Sequence, residues 1–174
     1  MNIPLVDLKA QYLSIKKEID DAIHDVLNNS SFIKGKHVSI FEENYKKLLK
    51  SKFCIGVANG TDSLFASLKS LGIGVGDEVI TASNSWISSS ETISLCGANP
   101  VFVDIEPHYF TIDTSLIENK ITEKTKAIMP VHLYGHPANM TKIIEIADKY
   151  DLKIIEDCAQ AHLAEWKNQL VGTF

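Results

Sequence analysis

Short apolar runs alternate with helix-patterned segments along most of this chain, and that alternation constrains its fold more than any other feature. FCIGVA, EVITA, PVFVDI, KAIMPV and LKIIED are strand-length and apolar almost throughout. Between them, DSLFASLKSL, WISSSETISLCG, the short SLIENKI and NMTKIIEIADKY read as helices. A repeated strand–helix–strand rhythm predicts parallel strands joined by right-handed crossovers. Strands covered on both faces lose the polar alternation of a half-exposed sheet, as these do. The expected fold class is α/β, a mostly parallel sheet flanked by helices.

Residues 1–52 follow a different rhythm. Ile15, Ile19, Ile23, Val26 and Leu27 recur at helical spacing and predict an amphipathic helix over 11–28. NNSSFIKGKH is a loop, and VSIFEENYKKLLK a second helix with Phe41, Tyr45, Leu48 and Leu49 on one face. The expected organisation is an N-terminal helical segment, 1–52, followed by a partial large α/β domain, 53–174. EWKNQLVGTF predicts a hairpin about Lys167-Asn168. GIGVGD precedes a strand instead of a helix, so it is a turn and not a dinucleotide fingerprint.

Composition narrows the partners. A net charge of −5 disfavours nucleic acid and anionic membrane surfaces. All seventeen basic residues are lysines. Arginine is the usual bidentate grip on a carboxylate, so any such recognition must come from other groups. Three cysteines without metal-type spacing suit a reducing compartment. MNIPLVDLKAQY lacks the pattern of a secretory leader, and no apolar run reaches membrane length. The expectation is a cytoplasmic protein with no membrane partner.

Ligands of open parallel sheets bind beyond the carboxyl ends of the strands. That rule selects the loops ANGTD, ASNSW, VDIEP, VHLYGH and EDCAQAH. In ANGTD, Gly60 allows close backbone approach, and the Thr61 hydroxyl with nearby N–H groups suits a phosphate at a helix start. An ordinary capped turn explains the same residues. Trp86 offers a face for a flat heterocycle, or a core anchor. Asp157 ends LKIIED; beside a pyridine nitrogen its charge would favour the protonated ring, and otherwise it is a cap or a surface ion pair. Glu156 points to the other side of the strand and carries no site role. Gln160 could donate to a ring oxygen, and His162 could stack, orient or pair. Cys158 with His162 lacks the third group and oxyanion donors of a thiol nucleophile, so an inert thiol is the better reading. His132 and His136 lack nearby carboxylates in sequence, so no metal site is expected. A phosphate cradle, a stacking ring, an acid and a donor together describe pyridoxal 5′-phosphate.

The stretches IPLVDLKAQY, NGTDSL, GIGVGDEVIT, WISSSETIS, GANPVFVDI, PVHLYGHPANM and IIEDCAQAH span nearly the whole chain. Through them it resembles the nucleotide-sugar aminotransferases of the DegT/StrS family, with the aspartate-aminotransferase-like fold (fold-type I). The resemblance implies that Gly60 and Thr61 hold the cofactor phosphate, Trp86 stacks on the pyridine, Asp157 pairs with its nitrogen and Gln160 contacts its hydroxyl. It places His162 near the cofactor. It implies amino transfer from an amino acid, glutamate by expectation, to a nucleotide-linked keto-sugar, in amino-sugar and surface polysaccharide (lipopolysaccharide) biosynthesis, by a homodimer. Two departures stand out. Leu163 replaces the family's usual glycine. The family's Schiff-base lysine and small domain lie beyond VGTF, so the chain resembles an N-terminal half with no catalytic residue of its own, expected to be inactive alone. The alternatives are a sugar dehydratase of the same family and a non-catalytic fragment acting by association.

Overall fold

The computed structural model describes residues 5–174. The chain divides into two compact units, Met1–Gly56 and Val57–Phe174.

The first unit contains helices α1 (Leu8–Ser14), α2 (Lys16–Asn28) and α3 (Lys36–Leu49). The single helix expected over 11–28 is broken at Ile15, whose φ of −121° and ψ of 18° leave the helical region. The break has a local cause: the Ser14 hydroxyl bonds the Gln11 carbonyl, and the Ile15 N–H reaches only Tyr12. Asp25 links α2 to α3 by accepting from Lys36 at 2.9 Å and His37 at 2.8 Å. Those two donors hold the Asp25 carboxyl below its ordinary range, Lys36 more than His37. None of the three helices has a buried residue.

The second unit is built on a parallel sheet of β1 (Glu78–Ala82), β2 (Asn99–Val103), β3 (Thr125–Met129) and β4 (Lys153–Ile154), in the order β2-β1-β3-β4. Helices α4 (Gly60–Ser70), α5 (Ile87–Leu95), α6 (Thr114–Ile117) and α7 (Met140–Tyr150) accompany it. Side chains on a strand alternate between faces. Val79, Ala127, Met129 and Ile155 therefore join Leu64 and Leu68 of α4 and Ile93 of α5 in one cluster. Ile80 and Ile128 face the other way, into a cluster with Ile117 of α6 and Met140, Ile143 and Ile146 of α7. Both faces are covered, which is why these strands read as unbroken apolar runs.

The strand order places the ligand crevice. From β1 the chain moves outward to β2, then passes back to the far side of β1 to lay down β3. The crevice beyond the carboxyl ends of β1 and β3 is thus a topological switch point. Thr81 Oγ1, fully buried, ties the two strands there by donating to the Met129 carbonyl at 3.0 Å.

The strand expected at FCIGVA does not form. No strand among the described residues pairs with this segment, and Phe53 and Ile55 are 71% and 72% exposed. Apolar character favours a strand only when a neighbour supplies the ladder. The hairpin does form: β5 (Glu165–Trp166) pairs antiparallel with β6 (Gln169–Leu170). Its turn residues Lys167 and Asn168 have φ of 51° and 67°, the left-handed pair of a type I′ turn.

Candidate functional site

All six candidate residues lie in the second unit, around the carboxyl edge of the sheet. Asn59 caps α4, its side chain accepting from the Asp62 N–H at 2.9 Å. Among the described residues, the Gly60 and Thr61 N–H groups have no acceptor. A Cβ built on Gly60 would meet nothing within 4 Å, so the α4 start is open on that side. Unpaired N–H groups at a helix start, with room before them, are the physical requirement for holding a phosphate.

Thr61 fixes where this helix start sits. Its hydroxyl is 2.8 Å from that of Ser88, in the first turn of α5, which is itself the continuation of β1. The α4 start is thereby pinned to the switch-point edge. Ser88 and Ser89 are buried, and Ser89 pairs with Ser85 at 2.8 Å. Sequence reasoning passed over these serines, although a run of hydroxyls immediately after Trp86 was a usable signal. Trp86 itself sits at the N-cap position of α5 and is 77% exposed, so it is not the core anchor that was the competing reading.

Asp157 reaches the same edge from β4. The β3–β4 ladder continues past the regular strand: the Asp157 N–H donates to Pro130 and its carbonyl accepts from the His132 N–H. Alternation from Ile155, packed among α4 and α5 residues, puts the Asp157 side chain on the α4/α5 face as well. β1 and β4 are two strand spacings apart, about 10 Å. The α4 start, tied to α5 through Thr61, and Asp157 therefore both lie at the carboxyl edge on the α4/α5 face, and Trp86 lies in the loop that follows β1. One Asp157 oxygen, Oδ1, accepts from the Ala159 N–H at 3.1 Å, which closes a turn and caps no helix.

Gln160 has its orientation assigned by its partner. Its Oε1 accepts from the Tyr134 N–H at 2.7 Å, and its NH₂ group has no acceptor among the described residues. His162 is exposed. Leu163 adopts φ of 62°, the left-handed region a glycine would enter without cost, so the departure noted in the sequence has not prevented that backbone shape. Lys167 lies over the Trp166 ring, 5.8 Å from its centroid, at the tip of the hairpin.

Glu156 answers why a buried strand ends in two acids. It points to the α6/α7 side and pairs with the fully buried His132, Nε2 to Oε2, at 3.0 Å. Cys158 stands beside them, its thiol pushed up to about 12 by burial first and then by the charges of Glu156 and Asp157. His132, Glu156 and Cys158 lie within 4.8 Å of one another, a grouping that resembles a metal site. The donors argue otherwise: His132 Nδ1 accepts from the Ala138 N–H, so its lone pair is used. His136 instead stacks on Tyr109, ring centroids 4.5 Å apart. A separate cavity of about 490 Å³, lined by Tyr109, Asp113, His136, Asn139 and Trp166 among others, includes none of the six candidates.

Known proteins carry the same architecture. The chain is 46% identical over 171 residues to the dTDP-3-amino-3,6-dideoxy-alpha-D-galactopyranose transaminase of Aneurinibacillus thermoaerophilus, covering 98% of this chain and 47% of that protein. It superposes on S. venezuelae DesV, solved in complex with a ketimine intermediate, with a TM-score of 0.96 and 41% identity over 99% of this chain and 46% of that one. NtdA from Bacillus subtilis, solved with bound cofactor PMP, gives a TM-score of 0.83 and 37% identity over 85% of this chain and 34% of that one. The chain spans about half the length of the curated relatives it matches. With the parallel sheet, the helix start at its switch point and the acid at the end of β4 all in place, and the family model matching residues 13–174, this chain belongs to the DegT/DnrJ/EryC1/StrS aminotransferase family.

Proposed function

We propose that the protein containing this chain transfers an amino group from an amino acid, glutamate in the first instance, to a nucleotide-linked keto-sugar, using pyridoxal 5′-phosphate. The product would be an amino sugar destined for surface polysaccharide. The observation that carries the reading is the shared face and edge of the α4 start and Asp157, with the exposed Trp86 in the loop that follows β1. The residues suit the cofactor group by group. The unpaired Gly60 and Thr61 N–H groups and the absence of neighbours at the Gly60 Cβ position suit its phosphate. The Asp157 Oδ2 atom, left over by the turn at Ala159, suits a protonated ring nitrogen. The NH₂ group of Gln160 suits the ring oxygen. His162 is proposed to flank the cofactor without a specified contact. When bound, the cofactor supplies an electron-withdrawing ring. This chain's part is to hold the phosphate, stack on the ring and keep its nitrogen protonated.

The relative named above is a transaminase, so amino transfer is preferred over the dehydratase alternative. Titration with pyridoxal 5′-phosphate, followed by absorbance and by ³¹P NMR, tests the site on this chain directly. The expected result is saturable one-to-one binding, weakened about tenfold by Asp157→Asn, the loss typical of a charge-assisted hydrogen bond. Absence of saturable binding, or equal binding by the variant, would count against it.

A further inference from the structure

β4 ends in two carboxylates on opposite faces, and only Asp157 belongs to the proposed cofactor site. Glu156, on the other face, has a side chain only 5% exposed and an unusually complete set of donors. Its Oε2 accepts from His132 Nε2 at 3.0 Å and from the Gly172 N–H at 2.8 Å, and its Oε1 accepts from the Phe174 N–H at 2.9 Å. His132 is held just as fully. A backbone N–H can only donate, so the bond from Ala138 to Nδ1, 3.0 Å, assigns the lone pair to Nδ1 and the proton to Nε2. The same residue's backbone N–H donates to the Asp157 carbonyl at 3.1 Å, while the Asp157 N–H donates to Pro130 at 2.9 Å. Residues 130–132 therefore grip the end of β4 twice, by main chain on both sides of Asp157 and by the imidazole from behind.

We propose that Glu156 and His132 are positioning residues for Asp157. Asp157's own carboxylate has a single intramolecular hydrogen bond among the described residues, to Ala159. The direction of its Cα–Cβ bond is thus set by its own backbone, which residues 130–132 hold on both sides, and the buried Glu156–His132 pair locks those residues against the end of β4. The pair faces away from the cofactor and acts only through the strand. This inference rests on the reading that Asp157 faces the pyridine nitrogen.

The test uses this chain with pyridoxal 5′-phosphate labelled with ¹⁵N in the ring. Nitrogen NMR reports whether the bound ring is protonated, and ³¹P NMR reports the phosphate. With wild type, the bound nitrogen is expected to be protonated at neutral pH. Glu156→Gln, which keeps the shape but removes the charge and one acceptor, is expected to bind about tenfold more weakly. The decisive expectation is that its bound ring loses the nitrogen proton, as Asp157→Asn does, while the phosphate signal is unchanged. A purely structural role would lower the melting temperature yet leave the bound ring protonated, and that outcome overturns the proposal. If Glu156→Gln does not fold, His132→Asn, which leaves Glu156 both backbone donors, is read in the same way. Should wild type bind no cofactor, the site reading itself fails and takes this inference with it. If wild type binds with a protonated ring and the variants do likewise, only the positioning role is lost.

Discussion

Cys158 follows Glu156 and Asp157 in the chain; it is partly buried, and the two negative charges add to the effect of that burial. Both causes disfavour the thiolate and push the thiol up to about 12 from 9.0. At pH 8 the folded chain should therefore show about a thousandfold less thiolate at Cys158 than a free cysteine would. Iodoacetamide labelling with peptide mapping is expected to spare Cys158 in the folded chain and modify it after unfolding in urea. The sign of the linkage follows. Above pH 9 the unfolded chain releases this proton while the folded chain keeps it, so Cys158 contributes a loss of stability as pH rises from 9 towards 12. Cys158→Ala should flatten that part of the stability–pH curve. Gly60 offers a second test at this scale. Since nothing lies within 4 Å of a Cβ placed there, Gly60→Val should change stability by no more than about 1 kcal/mol. If the cofactor phosphate uses the open side of the α4 start as proposed, the added side chain competes with it and cofactor affinity should fall at least about tenfold. Isothermal titration beside urea melts separates the two effects.

Among the elements, the short hairpin is the least favourably composed. Type I′ turns want Asn-Gly, and this one is Lys167-Asn168 with both φ angles positive. The double change Lys167→Asn, Asn168→Gly should stabilise the chain by about 1 kcal/mol, read as a higher urea midpoint with an unchanged slope. The strands show the opposite case, with side chains that have no slack. Ile80 and Ile128 are fully buried on adjacent strands of the α6/α7 face. Ile80→Ala should cost about 2–5 kcal/mol. α7 depends on a single polar residue at its start, because Asn139 accepts from the Lys142 N–H. Asn139→Ala should cost about 1 kcal/mol.

At the scale of the molecule, α1, α2 and α3 of the first unit have no buried residue among those described. Ile15, Ile19, Ile23 and Leu27 are 40%, 39%, 51% and 54% exposed, and Phe32 and Phe53 are 67% and 71% exposed. Helices of 13 and 14 residues draw most of their stability from packing of the apolar face. Large apolar side chains left exposed together on one patch drive association. We propose homodimerisation as their use. Light scattering and melts over a range of concentrations should show a dimer or larger assembly whose melting temperature rises with concentration. A monodisperse monomer with a concentration-independent melt would refute it.

Some of this protein was decided locally and could be read locally. The βα rhythm, the hairpin at Lys167-Asn168, the helix start at Asn59–Thr61 and the acid closing LKIIED depend on residues adjacent in sequence, through spacing, turn chemistry and capping. The opposite directions of Glu156 and Asp157 were legible too, because strand alternation is a property of the backbone. Other features depend on which distant segments meet. The order β2-β1-β3-β4 creates the switch point, and no pattern within one strand encodes its neighbours. FCIGVA has the composition of a strand and forms no ladder here, because a ladder needs a second chain segment. Glu156 found its partner in His132, 24 residues away, and its other donors in the backbone of Gly172 and Phe174. Backbone N–H groups are the same at every residue, so the sequence carries no mark of which ones will converge on a carboxylate. Only the packed tertiary structure brings them within hydrogen-bonding distance.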